Sequence, residues 1–377
     1  IALLCFLLPL LFATPLLLRQ DVAWQNSGLQ GIPVDGLAAG QSVLYAASHE
    51  GIFRSDDGER WQAINTGLPV SVWDGISVHA LAADPQDPAV AYALVGDGGD
   101  TREFYRTTNS GDQWEKLSLP SDTGVLDTLA LCPGEPDGLY LLGSRHIYES
   151  ADGGQSWDVR GNIPQDIQPQ SLALNACSLD ALYLGTLDRG VFYSDDGGQS
   201  RQERSSGLET QTVRQILISP VDNRVVFALA DRGIYRSVDA GHSWESVGQD
   251  LVGMNITVMV AHLSRVGIVY LGTAEGRVLI TADAGETWTE LGTKLGGASV
   301  LALVLDEKHV RVATNSGLWK FDVDIPPDLT APSTVVALAP TPMPTDTRRP
   351  SATAIPTASP AGTPARTLAP TATENPS

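Results

Sequence analysis

The chain has 377 residues, 42% of them hydrophobic, and carries a formal net charge of −20 from 44 acidic and 24 basic residues. This apolar content is enough for a packed core over most of the length. The acidic balance argues against a nucleic acid partner, because phosphate binding needs a basic surface.

The chain begins with an almost wholly apolar run, residues 1–18, which ends before Arg19. Such a run is just long enough to span a bilayer, and the apolar region of a secretory signal is the second interpretation. No Ala-x-Ala cleavage site precedes Trp24, which favours an uncleaved anchor. Residues 1–19 are therefore predicted to be a signal or membrane-anchor segment, and the remainder to lie outside the cytoplasm, either secreted or anchored to the membrane.

A short phrase with the pattern Ser/Thr-x-Asp-x-Gly-x-Ser/Thr-Trp recurs six times, and its last five copies are spaced by 43 or 44 residues. An Asp side chain accepts hydrogen bonds from its own turn, and Gly takes the positive φ that such a turn requires. The first copy is one residue short, and the fourth has Arg201 in place of Trp. We assign a structural role to the central residue of each copy: Asp57, Asn109, Asp152, Asp196, Asp239 and Asp283.

Three apolar strands precede each phrase, and the phrase itself reads as a tight turn before an outer strand. A seventh set of three strands follows Trp288 without a phrase or an outer strand after it. The segment at Trp24 resembles the outer strand at Trp61, so we predict that it completes the last sheet and removes two exposed edges. The predicted fold is all-β: a seven-bladed β-propeller over residues 22–324, closed by its N-terminal strand.

These repeats resemble those of the Asp-box, or bacterial neuraminidase repeat, propellers over about 300 residues. Relatives of that type include sialidases, xyloglucan hydrolases, sortilin-type receptors and the photosystem II stability/assembly factor. The resemblance implies the fold strongly and the function weakly, because the box lies away from the functional site in those families. The arginine patch expected of a photosystem assembly factor is not evident in this acidic sequence.

Residues 325–377 are rich in Pro, Thr, Ala and Ser and contain no aromatic residue. Such a segment cannot bury enough apolar surface to offset its chain entropy, so a disordered tail is predicted. Its composition suits an extended spacer with O-glycosylation, or a plain linker.

The loops that join second to third strands are predicted to ring the channel on the face that binds. We therefore take as candidate ligand-binding residues the polar side chains of these loops and one tryptophan between blades. A ring for a glycan or a peptide is one interpretation, and local ion pairs that tighten turns, with a tryptophan that anchors its loop, are the other. The candidates are Trp73, His49, Glu50, Arg145, His146, Asp188, Arg189, Asp231, Arg232, Glu275 and Arg277.

Cys132 and Cys177 fall in turns after the inner strands of adjacent blades, where a disulfide and two free thiols are both open. The three cysteines form no C-x-x-C pair, and the six histidines show no metal-ligand spacing. No metal or cofactor is therefore predicted.

The leading functional hypothesis is a non-catalytic binding or assembly scaffold, monomeric, with a glycan or an exported protein as ligand. The early Arg-Ile-Pro motif of sialidases is absent from the sequence. Xyloglucan hydrolases of the type that the repeats resemble place their catalytic acids between two propellers, whereas a single propeller is predicted here. Catalysis is left open and is less favoured than binding. The alternatives are a glycoside hydrolase or sialidase-like enzyme of the Asp-box class and a photosystem II assembly factor-like protein.

Overall fold

The structure is a computed structural model that describes residues 23–69, 75–96, 102–124, 126, 128–131, 137–175, 178–306 and 308–323. In this part of the chain twenty-eight strands form seven four-stranded antiparallel sheets, and one short 3-10 turn spans Gln249–Leu251. The all-β class and the seven-bladed propeller predicted from the repeats are confirmed.

The strands are numbered in chain order, starting with β1 (Gln25–Asn26). Blade I contains β2 (Val34–Ala39), β3 (Leu44–Ser48), β4 (Gly51–Ser55) and β5 (Gln62–Ala63). Blade II contains β6 (Ser77–Ala83), β7 (Ala91–Gly96), β8 (Arg102–Thr107) and β9 (Glu115–Leu117). Blade III contains β10 (Thr128–Leu131), β11 (Leu139–Leu142), β12 (His146–Ser150) and β13 (Asp158–Asn162). Blade IV contains β14 (Pro169–Asn175), β15 (Ser178–Thr186), β16 (Val191–Ser194) and β17 (Gln202–Glu203).

Blade V contains β18 (Val213–Ile218), β19 (Val226–Ala230), β20 (Gly233–Ser237) and β21 (Glu245–Val247). Blade VI contains β22 (Ile256–Ala261), β23 (Val269–Thr273), β24 (Val278–Thr281) and β25 (Thr289–Glu290). Blade VII contains β26 (Val300–Leu305), β27 (His309–Thr314) and β28 (Gly317–Asp322), and β1 is its outer strand.

The N-terminal strand closes the ring as predicted. Gln25 lies opposite Lys320 and Asn26 opposite Trp319, so β1 pairs antiparallel with β28. The buried guanidinium of Arg311 donates to the Ser27 hydroxyl at 3.1 Å, which ties β27 to the residue that follows β1. The two ends of the propeller thus protect each other's strand edges without a covalent link.

The core is divided into seven apolar clusters, each made by the facing sides of two adjacent blades. Most box tryptophans reach into the interface with the preceding blade. The indole nitrogen of Trp114 donates to the Ile64 carbonyl at 2.7 Å, and that of Trp244 donates to the Arg204 carbonyl at 2.8 Å. Trp114 and Trp244 each add a large apolar surface and one directed hydrogen bond between neighbouring blades.

The interface between blades III and IV is the exception, because Arg201 occupies the tryptophan position. Its guanidinium donates back to the Gly198 carbonyl of its own box at 3.2 Å, and no tryptophan joins this cluster. The space is closed by glycines instead: a Cβ on Gly161 would lie 2.7 Å from the Gly198 carbonyl oxygen. The backbones of the two blades therefore meet directly where an indole lies elsewhere.

The predicted N-terminal anchor, residues 1–19, and the predicted tail, residues 325–377, lie outside the described residues. Within the residues that the structure does describe, no helix is long and apolar enough to cross a membrane.

Candidate binding face

The two ends of the blades differ in their chemistry. We use "box face" for the end that carries the six box turns and the loops from inner to second strands. We use "loop face" for the opposite end, where loops join second to third strands and successive blades. In an antiparallel four-stranded blade these two sets of connections lie at opposite ends of the strands.

On the box face, each turn closes on its own polar side chains. In the fifth copy, the Ser237 hydroxyl donates to one Asp239 carboxylate oxygen at 2.7 Å and accepts from the Gly241 amide at 2.7 Å. The amide and hydroxyl of Ser243 both donate to Asp239, at 2.9 and 2.6 Å. In the second copy Asn109 replaces the Asp and still accepts from the Gln113 amide at 3.0 Å.

These bonds lower the pKa of the box carboxyls, because every donor stabilises the ionised form. Hydrogen bonds from Ser156 and Ser150 bring the pKa of Asp152 to about 2, and those from Ser200 and Ser194 do the same for Asp196. Bonds to Ser243, opposed by partial burial, bring the pKa of Asp239 to about 2.

A second feature of the box face is a series of arginines that link four of the blades to the next box. The residue before the box glycine has a left-handed backbone, with φ of 60° at Ser110 and 57° at Ala240. Its carbonyl accepts from an arginine of the preceding blade: Arg54 donates to Ser110 at 3.4 Å, and Arg204 donates to Ala240 at 2.6 Å.

The same contact recurs in two other interfaces. Arg236 donates to the Ala284 carbonyl at 2.9 Å, and Arg311 donates to the Gly58 carbonyl at 3.1 Å. Several of the chain's arginines are thus used to hold blades together. This role was not predicted from the sequence, although arginine recurs on third strands at Arg54, Arg106 and Arg236.

On the loop face, the arginines of the predicted acid–Arg pairs contact other elements rather than their chain neighbours. Arg189 forms an ion pair with Asp166 of the loop between blades III and IV, at 2.5 Å. Arg277 donates to Glu290 of its own outer strand at 2.8 Å. The adjacent acids Asp188 and Glu275 are exposed.

The remaining predicted loop residues are spread around the same face. Four of them are exposed: His49, Glu50, Asp231 and Arg232. The half-buried Arg145 offers its carbonyl to the Ile163 amide at 2.6 Å.

His146 contacts two neighbouring elements. Its ring nitrogen Nδ1 lies 2.9 Å from the Asn162 side-chain oxygen, and Nε2 lies 3.8 Å from an Asp122 carboxylate oxygen. Trp73 and the two cysteines, Cys132 and Cys177, lie outside the described residues.

The structure adds a ring of residues that the sequence analysis missed. Within the described residues, six inner strands have a β-bulge near their first residue, which leaves one residue without a cross-strand partner. A bulge re-aims the side chain of its extra residue. The bulged residues are Asp35, His79, Gln170, Arg214, Thr257 and Leu301.

These bulges lie at the loop-face end of the strands nearest the channel. Arg214 of β18 lies 3.4 Å from the Asp231 carboxylate in the loop between β19 and β20, which places the bulge beside the predicted loop residues. The position is occupied by an acid, an imidazole, an amide, a guanidinium, a hydroxyl and an aliphatic side chain. A repeat alignment anchored on the apolar residues just after this position would have found this variable column.

Some of these side chains are used within the propeller. The Thr257 hydroxyl donates to the Val300 carbonyl of the next inner strand at 2.7 Å, and the Ser77 hydroxyl lies 3.0 Å from Nε2 of His79. Asp35 differs: it is the one exposed residue of β2, whose other five residues are buried.

Asp35 is both accessible to solvent and surrounded by protein. The protein around the Asp35 carboxyl partly removes it from water, which raises its pKa. The nearby His49 lowers the pKa by a smaller amount. The Asp35 carboxylate therefore lies at the loop-face end of blade I, where solvent reaches it.

In the described part of the chain, no three His, Cys, Asp or Glu side chains are grouped so that they could hold a metal ion. The polar residues of the loop face present donors, acceptors and charges of both signs around one opening. This arrangement suits recognition of an extended or polyvalent ligand through many weak polar contacts.

Comparison with known proteins agrees with this architecture. A family model described as photosynthesis system II assembly factor YCF48 matches residues 106–272. The oligoxyloglucan-reducing end-specific xyloglucanase of Emericella nidulans is 28% identical over 204 residues, covering 48% of this chain and 25% of that protein. A xyloglucanase of Paenibacillus sp. is 25% identical over 250 residues, covering 60% of this chain and 22% of that protein. The chain thus spans about a quarter of the length of these curated relatives.

Two solved structures share the fold. YCF48 bound to D1 peptide superposes with a TM-score of 0.64 at 12% identity and covers 82% of this chain and 100% of that one. The GH74 enzyme of Niastella koreensis superposes with a TM-score of 0.63 at 17% identity and covers 83% of this chain and 55% of that one. The predicted resemblance to the Asp-box propellers is confirmed, while the likeness to sortilin-type receptors stays a prediction.

Proposed function

We propose that this chain is a non-catalytic binding or assembly scaffold that acts outside the cytoplasm and takes its ligand on the loop face. The observation that carries the proposal is the contrast between a repeated scaffold and an unrepeated ring of bulged side chains at its channel. Variation at one structural position, with the surrounding framework kept constant, is how a propeller acquires a particular ligand.

An exported protein segment is the favoured ligand. The similar YCF48 structure contains a D1 peptide, and the matched family model is named for an assembly factor. The loop face offers hydrogen-bond donors and acceptors together with positive and negative charges, as recognition of an extended polypeptide requires. Every aromatic side chain in the described residues is buried or half-buried. Stacking of a glycan on an aromatic ring would therefore depend on Trp73, which lies outside the described residues.

The location outside the cytoplasm rests on residues 1–18, whose apolar run suits export or anchoring. The apolar N-terminal segment would hold the propeller at a membrane surface. We propose that the propeller acts as a monomer, because closure of the ring by β1 satisfies both of its end blades without a second copy.

The test is a selection from a random linear 12-residue peptide library, with a glycan array in parallel, on the full chain. We expect peptides whose affinity falls in the paired loop-face variants Asp231→Asn and Arg232→Gln and persists in the box-face variant Asp195→Asn. Trp73→Ala separates the ligand classes, because loss of array binding in this variant would indicate a glycan. Absence of any binder in both formats, or equal loss in the box-face variant, would contradict the proposal.

A glycoside hydrolase is the second candidate, because the curated relatives at 28% and 25% identity are both xyloglucanases. Its test is release of reducing sugar from xyloglucan and from sialosides by the full chain. Turnover that disappears in Glu50→Gln or Asp35→Asn would establish the enzyme and displace the scaffold. Turnover unchanged by both variants would indicate a contaminating activity.

A further inference from the structure

Asp35 presents a carboxylate without a partner at the mouth of the channel. The described residues supply it with no hydrogen bond and no ion pair, and the nearby charge that acts on it is that of His49. The bulge between the pairs Val34–Ser48 and Gly36–Ala47 is what turns it out of the buried strand. An anion without a partner gains free energy when a cation reaches it.

The neighbouring bulge on blade VII supplies an apolar surface. Leu301 holds the equivalent position on β26 and is half-buried. Strands β26 and β2 pack together through Ala302 and Val304 against Val34 and Leu37, so the two bulges belong to adjacent inner strands. Asp35 and Leu301 thus hold equivalent bulge positions on neighbouring strands, and a carboxylate with an aliphatic side chain on the next strand matches a ligand group with an apolar stem and a charged end.

We propose that Asp35 and Leu301 form a binding site for a lysine or arginine side chain of the partner. The carboxylate accepts from the ammonium or guanidinium group, and Leu301 packs against the methylene stem. This inference rests on the proposed function and specifies it, since it names the side chain by which an exported polypeptide is recognised.

The alternatives fit these two residues less well. A metal ion requires several oxygen ligands, and Asp35 belongs to no metal-binding group among the described residues. An anionic ligand would meet an uncompensated negative charge. A sugar hydroxyl would leave the charge of the carboxylate without a counterion.

The first test uses n-butylammonium and n-propylguanidinium as probes of the full chain. Their binding is measured by the shift of carboxyl carbon NMR signals at constant ionic strength. n-Butanol controls for the stem and ammonium for the charge. We expect saturable binding of both probes and of neither control, weakened at least about tenfold in Asp35→Asn by loss of a charge-assisted contact. Leu301→Ala should weaken it about threefold through lost apolar contact.

The matched control is Asp195→Asn, which removes the same charge from an exposed turn of the box face. This variant should bind the probes as the wild type does. Asp35→Asn should keep or raise the midpoint of thermal unfolding, because it removes an unpaired carboxylate and no hydrogen bond. Probe binding that Asp35→Asn leaves unchanged, or a clear fall in its unfolding midpoint, would overturn the inference.

The second test examines the peptides selected from the random library. We expect a lysine or arginine at one shared position, and at least about tenfold weaker binding by Asp35→Asn. Peptides without a basic residue that bind both variants equally would overturn this site and leave the proposed function standing. If probe binding depends on Asp35 but the library yields no peptide, the site stands and the proposed function is contradicted.

Discussion

The box face and the loop face are built on the same strands but follow different rules. On the box face, equivalent residues make equivalent bonds: Ser237 to Asp239 in one copy matches Ser150 to Asp152 in another, at 2.7 Å in both. On the loop face, equivalent positions hold unlike side chains, such as Asp35, Arg214 and Leu301. Repetition therefore marks residues that hold the ring together, and variation marks residues available for recognition.

The largest effect is expected where an indole joins two blades. Trp114 is fully buried, and its nitrogen donates to Ile64 of the preceding blade. Trp114→Ala should lower the free energy of unfolding by about 3–5 kcal/mol, from the lost contacts and the cavity. Urea denaturation measures it, and Trp114→Phe, which keeps part of the volume, should lose less. A loss under about 1 kcal/mol would show that the interface is not held this way.

The arginine at the closing seam comes next. Arg311 is buried and contacts Ser27, the Gly58 carbonyl and Asp306, whose carboxylate oxygen lies 2.7 Å away. Arg311→Leu should lower the free energy of unfolding by about 3 kcal/mol, because it breaks the ion pair with the half-buried Asp306 and removes the buried donor to Ser27 and Gly58. The comparison variant is Arg54→Leu, at a more exposed position, which should lose less in the same denaturation series.

Acid should weaken the box face as a set. The pKa values of Asp152, Asp196 and Asp239 lie at about 2, below the ordinary 3.8, so the folded state binds fewer protons than the unfolded state. Their contribution to stability is complete above about pH 4 and is lost as the pH falls toward 2. Thermal unfolding midpoints across this range measure it, and a flat profile would contradict the assignment.

A single box should matter less than the set. Asp239→Ala removes the acceptor of three hydrogen bonds and should cost about 1 kcal/mol, as the loss of a capping side chain does. Asp239→Asn should retain most of the stability, because Asn109 already serves in the second copy. Equal losses in the two variants, measured by thermal denaturation, would show that geometry alone does not set the role of the residue.

The smallest effect on stability is expected on the loop face. Asp231 and Arg232 are exposed, so Asp231→Asn and Arg232→Gln should each change the free energy of unfolding by less than about 0.5 kcal/mol. The same variants should weaken binding of selected peptides, as measured by fluorescence anisotropy. A large loss of stability would place these residues with the structural set instead.

The repeat made most of the fold predictable. Trp24 and Trp61 head similar segments, and that likeness identified the strand that closes the ring. Bonds within one turn, such as those of Asp239, follow from local spacing and could be read from the sequence. Contacts between blades could not, because Arg54 and Ser110 lie 56 residues apart and meet only when the ring is assembled.

The candidate site was predicted less completely, for a physical reason. The loop residues His49 and Asp188 follow the end of a visible strand, so their face could be inferred from topology. Asp35 and Arg214 lie inside strands, where alternation of apolar and polar residues hides a one-residue bulge. A bulge is a register property of two strands, and a single sequence does not display register.

The most direct measurement is hydrogen–deuterium exchange of the full chain with and without a saturating selected peptide. We expect slower exchange in the loop-face segments 187–190, 231–232 and 274–277, with the box turns at 239–243 and 283–287 unchanged. Protection confined to the box turns, with the loop-face segments unaffected, would contradict binding on the loop face.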